Sequence, residues 1–123
     1  MSAITVLNEV VTTLAGISGD YPVHLADFLN VDAEGNLQLP EDDEQFVLYL
    51  ITATPIHEWD TVRYRDVRIQ LNAWSNVEGN AVVMLQAAED ALVAANYRPL
   101  PLRSLGRDGS WTGAAQDFER TTA

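Results

Sequence analysis

The sequence predicts an α/β protein of the α+β kind, with a mainly antiparallel sheet of about four strands and two helices packed against it. Three observations lead there. Two runs rich in β-branched and aromatic residues, 46–54 and 64–74, are separated by a short polar connection. An alanine-rich run, 76–95, repeats its apolar residues at helical spacing. Asp108–Gly109 marks a tight turn between two further extended runs. A chain of 123 residues without internal repeats or low-complexity linkers fits one domain, 1–123.

The first element is a helix. Ile4, Leu7, Val10, Val11, Leu14 and Ile17 share one face, with Ser2 as N-cap and Gly16 or Gly19 as the stop. Its valines and threonines are weak helix formers, so packing must hold it. Residues 20–45 form the least regular part, read as an irregular acidic arm: "YPVHLADFLN" suits a short helical turn, and "AEGNLQLP" a turn with a brief extended piece. Glu41, Asp42, Asp43 and Glu44 crowd too much like charge to pack together, and the expectation is a solvated acidic arm.

"FVLYLITATP" is apolar on both alternating faces, as in a central strand that ends at Pro55. In the next strand Val67, Ile69, Leu71 and Ala73 alternate with Arg68, Gln70, Asn72 and Trp74. Before Asp66 the phase reverses: Val62 and Tyr64 are apolar, Arg63 and Arg65 polar. One extra residue near Arg65–Asp66 repairs this, which predicts a bulge within an antiparallel hairpin. The second helix is expected over 76–95, opened by a Ser75/Glu78 capping box. Val77, Ala81, Met84, Leu85, Ala88, Leu92 and Ala95 form its apolar face, and Asn96 and Pro99 end it. Strands near 100–105 and 111–119 complete the order.

Charge and composition narrow the function. Eighteen acids face seven arginines and no lysine, a formal net charge of −11 that repels nucleic acid and anionic membranes. Without cysteine there is no disulfide or thiolate metal site. The opening "MSAITVLNEVV" lacks the basic region and long apolar run of a secretion signal, and no run reaches the length of a membrane span, so synthesis is expected in cytosol. His57, Glu58 and Asp60 in "IHEWD" are the most tempting chemical cluster, yet metal sites draw ligands from several elements, and the other histidine, His24, lies far off in sequence. No G-x-S-x-G elbow, phosphate loop or dinucleotide fingerprint occurs. Catalysis, a cofactor and a bound metal are therefore not expected.

Arg63, Arg65 and Arg68 concentrate scarce positive charge on one strand. Beside Tyr64 they look superficially like a strand that stacks bases and grips phosphates, but Asp66 and "HEWD" interrupt it. Pairing with carboxylates accounts for them better, on neighbouring strands or on neighbouring subunits.

The run "FVLYLITATPIHEWDT…VRYRDVRIQLNAWSNVEGNAVVMLQAAEDALVAANYRPL" resembles the tail terminator, or tail completion, proteins of long-tailed bacteriophages. The features that match are Arg65 with Val67, Ile69 and Trp74, the spacing from Ala88 to Leu92, and the aromatic Tyr97 before the next strand. The resemblance covers residues 46–100 and extends loosely to both ends; the acidic arm has no counterpart. It implies a structural virion protein at the neck of the tail, made in host cytoplasm, without cofactor or catalysis. Such a protein forms a ring, typically a hexamer, that caps the tail tube, ends its polymerisation and presents a docking surface to the head-side connector. DNA passes through the lumen without specific binding, and no membrane is involved. On this reading Arg63, Arg65, Arg68, Trp59 and Trp74 serve the subunit or partner interface. The competing readings are another neck component, a connector or stopper, an acidic DNA mimic that inhibits a nucleic-acid enzyme, and a small hydrolase built around His57.

Overall fold

The computed structural model describes residues 3–17, 21–26, 33, 44–58 and 61–120. In chain order they form α1 (Ala3–Leu14), β1 (Val23–Leu25), β2 (Gln45–Glu58), β3 (Thr61–Ser75), α2 (Asn80–Ala94), β4 (Arg98–Pro99), β5 (Arg103–Asp108) and β6 (Trp111–Arg120). The fold is α+β. Its sheet has six strands rather than four, in the order β1-β2-β3-β6-β4, with β5 also pairing β6. Every pair is antiparallel except β1 with β2.

The alternation read from β3 sets the layers. Val67, Ile69, Leu71 and Ala73 are fully buried and join one core with Phe46 and Leu48 of β2, Ala114 and Phe118 of β6, and both helices. α1 contributes Val6, Leu7, Val10 and Leu14, and α2 contributes Ala81, Met84, Leu85, Ala88 and Leu92. Each of the larger side chains contributes about 1.5–3 kcal/mol by leaving water. α1 ends by tightening: the N–H groups of Gly16 and Ile17 donate three residues back, to Thr13 and Leu14. The predicted cap Ser2 lies outside the described residues.

Where α2 starts was misread from sequence. Ser75 is the last residue of β3, and its Oγ accepts from the Val77 N–H at 3.0 Å instead of capping a helix. Gly79, left-handed at φ 81°, is the N-cap, so α2 begins at Asn80 and Val77 is exposed. The other end matches expectation. Asn96 is left-handed at φ 71°, its N–H donates to Val93 O, and the Tyr97 N–H donates to Leu92 O at 2.9 Å. These two bonds, with Leu92 and Tyr97 both buried, make a Schellman cap.

Two short strands were not foreseen. β1 takes up Val23–Leu25 of "YPVHLADFLN", where a helical turn was expected, residues 27–30 of that stretch lying outside the described residues, and β4 precedes the expected strand near 100–105. β1 is fastened by the Phe46 N–H donating to Pro22 O and by Tyr21 meeting the Phe46 ring edge-on at 5.6 Å. β2 runs through Pro55, where the segment has only one strand neighbour among the described residues, so the missing N–H need cost no ladder bond. The last turn places Gly109 and Ser110 between the paired Asp108 and Trp111, one residue later than expected. Gly109 has φ 63°, which suits the first position of a two-residue hairpin turn.

Candidate functional site

The predicted interface residues separate into two settings. From Gln45 to Leu50, β2 lies against β3, and from Val67 to Ser75, β3 lies against β6 as well. Beyond that body the ladder slips by one residue at Ile51 and returns at Asp66, as the phase reversal in β3 predicted. Asp66 takes the left-handed conformation at φ 53°, which aspartate tolerates better than most residues. Its carbonyl accepts from Thr52 Oγ1 at 3.4 Å. Past the bulge, Thr54–Glu58 of β2 pairs with Thr61–Arg65 of β3. Among the described residues no third strand joins this ladder. It is a two-stranded arm extending beyond the last rung shared with β6, by about 15 Å at the usual rise per residue.

Arg63 and Arg65 occupy arm positions opposite Ile56 and Thr54. Trp59 lies outside the described residues. Arg68 belongs to the body. Its guanidinium donates through Nη2 and Nε to Asp117 Oδ2, at 2.8 and 3.3 Å, on the neighbouring strand β6. Arg103 of β5 reaches the other oxygen of Asp117 at 3.3 Å. One nearly buried carboxylate therefore gathers two arginines across three strands, which is the in-subunit alternative for Arg68. Nothing local in the sequence could reveal that pairing.

Trp74 is half-buried on the same face as Asp117, and its ring lies on Gly113 of β6. A Cβ at Gly113 would fall 2.5 Å from one ring carbon and 2.8 Å from another. Trp74 thus has a packing role within the chain, whatever else it touches.

Of the acidic arm, Glu41, Asp42 and Asp43 lie outside the described residues. Glu44 does not behave as a freely solvated charge: it is partly buried, and its Oε1 accepts from Asn80 Nδ2 at the start of α2. A carboxylate there also meets the positive end of the helix dipole. Glu44 ties the start of β2 to the start of α2.

A second cluster, missed in the sequence, closes the helix side. The Arg120 guanidinium lies 5.0 Å from the centroid of the Tyr97 ring and 3.9 Å from Glu9 of α1. Burial pushes the Tyr97 hydroxyl above the usual tyrosine range, Arg120 opposes that and Glu9 adds to it. Burial likewise raises Tyr49. Among the described residues there is no cluster of three or more His, Asp or Glu that could hold a metal ion, and no helix long and apolar enough to cross a membrane.

Neither the family models nor the curated proteins compared with this chain contain a match.

Proposed function

We propose that this chain is a structural virion protein whose ring caps the phage tail tube, stops its polymerisation and offers the head its docking surface. The reading rests on the resemblance of residues 46–100 to tail terminators. The observation that supports it most directly is the two-stranded arm. An isolated two-stranded ribbon is marginally stable in water, and its outer edges are unpaired among the described residues. An element of that kind gains most when another chain covers it. Arg63 and Arg65 sit on it, so repeated ion pairs with neighbouring subunits or the tube would fix register around a ring. The action is steric, with no bond made or broken. The acidity of the chain suits a lumen through which DNA must slide without sticking.

The test is to add the purified chain to polymerising tail tubes and image the products. Capped tubes that cease to lengthen, with a ring at one end, are expected. Binding to the head-side connector but never to a tube would reassign the chain to a connector or stopper. Tubes that lengthen unchanged, with no ring at either tube or head, would overturn the reading.

A further inference from the structure

Between body and arm, the β2–β3 ladder carries two faults that cancel. Leu50 pairs with Ile69 on the body side, and Thr54 pairs with Arg65 on the arm side. Three residues of each strand lie between those rungs, 51–53 on β2 and 66–68 on β3. Equal numbers permit an unbroken ladder, with Ile51 opposite Arg68, Thr52 opposite Val67 and Ala53 opposite Asp66. Instead Thr52 lies opposite Arg68. Ile51 is then the extra residue of β2, and Ala53 meets both Asp66 and Val67. One bulge shifts the register and the facing bulge restores it.

Nothing outside those six residues depends on which register they take. Both registers keep the body rungs up to Leu50–Ile69, the arm rungs from Thr54–Arg65 onward, and the β3–β6 ladder, whose last pair is Val67 with Arg120. Val67, the one fully buried side chain of the six, stays on the core face in both. The costs oppose one another. The slipped register packs Ala53 against the core and lets Thr52 Oγ1 donate to the Asp66 carbonyl, at a long 3.4 Å. It gives up ladder pairs and holds Asp66 at φ 53°, a conformation that side chains disfavour. The unbroken register reverses each of these. An open cleft of about 340 Å³ lies at the bulges, lined by Ile51, Thr52, Asp66, Val67, Arg68 and Glu119. Ile51, Thr52 and Asp66 are all exposed there, so they can turn without displacing a packed neighbour.

We propose that the paired bulges are a two-position register switch, in which the slipped and the unbroken ladder interconvert within residues 51–53 and 66–68 and turn the arm over as a unit. A slip of one residue moves every position beyond it to the other face of a ladder. Ala53 leaves the core side, and Thr52 and Thr54, exposed in the slipped register, turn towards it. The arm's own pairing does not change, so no strand has to slide along its partner. A partner that binds one face of the arm draws the ladder into the register that presents that face. The switch goes beyond the ring reading and does not depend on it.

Nuclear magnetic resonance on the full chain tests it. In the wild type, exchange seen as relaxation dispersion or as a second set of peaks should be shared by residues 51–54, 65–68 and the arm. It should be absent from both helices and β6, with a minor population of roughly 0.1–10%. Asp66→Val penalises the left-handed backbone and should make the unbroken register dominant. Cross-strand contacts of Thr52 with Val67 should then replace those with Arg68, while the Leu50–Ile69 and Thr54–Arg65 rungs persist. Asp66→Gly removes the penalty and should suppress the exchange. A folded Asp66→Val chain that keeps Thr52 opposite Arg68, or loses the Thr54–Arg65 rung, overturns the switch. If Asp66→Val does not fold, the wild type decides alone: shared exchange sustains the switch. A wild type with neither dispersion nor doubled peaks overturns it in every case. None of these readouts involves a tail tube, so the switch and the proposed function fail separately.

Discussion

The two halves of the β2–β3 ladder are made from the same pair of strands yet live under different physics. In the body, Phe46, Leu48, Ile69, Leu71 and Ala73 are buried almost completely, with β6 beside β3, β1 beside β2 and both helices above. Past the Asp66 bulge the ladder has, among the described residues, only itself. The body is stabilised by area removed from water, which is local and large. The arm keeps its backbone bonds but has no third strand among the described residues, and ribbons of that kind contribute little net stability. The bulge is the border between a body packed against both helices and, among the described residues, a ladder of two strands alone.

The largest effect should come from the body. Phe118 is fully buried on β6, facing Ile69. Phe118→Ala removes most of a ring from a closed core and should cost about 3–5 kcal/mol. In thermal unfolding that is a drop of roughly 10–20 °C for a domain of this size. A loss of only a degree or two would mean that the body is not the folding unit.

Gly113→Ala probes the other face of the same body. The added Cβ overlaps the Trp74 ring, which must shift or tilt the strand beneath it. Overpacking of that kind costs about 1–3 kcal/mol. Replacing Trp74 by Leu in the same chain should restore part of the loss. Unchanged stability, with unchanged tryptophan fluorescence, would show that Trp74 is not held against the sheet.

Much of the body was legible in the sequence because it depends on period. From Val67 to Leu71 the residues of β3 that alternate in sequence alternate in burial, Asn72 is buried along with its neighbours, and the phase break fell where the bulge lies. Asn96 and Pro99 marked the end of α2 because left-handed backbone and a missing N–H are local demands. The start of α2 was not legible. Ser75 and Glu78 have the spacing of a capping box, but Ser75 was already committed to β3 opposite Thr112, and Gly79 bent the chain instead. β1 and β4 are too short to carry a period and exist because β2 and β6 offer edges. The Asp117 cluster joins residues from three strands, and Arg68 lies 49 positions away from its carboxylate. Composition alone could suggest a pair for that arginine, never the partner.

The smallest effect on stability, and the sharpest test of the border, should come from removing the arm. Thr54 and Arg65 are directly paired, so residues 55–64 can be replaced by Asn-Gly, whose two residues suit a tight hairpin turn. The body keeps its whole core, its bulge and its β6 partner. Stability should therefore change by no more than about 1 kcal/mol, the scale on which a lone ribbon contributes. The mass in solution should respond differently. If the arm is a contact element, the shortened chain should lose assembled species while melting within a few degrees of the wild type. A melting temperature that falls as far as for Phe118→Ala would place the arm inside the folding unit. An unchanged mass with an unchanged melting temperature would leave Arg63 and Arg65 without a part in assembly.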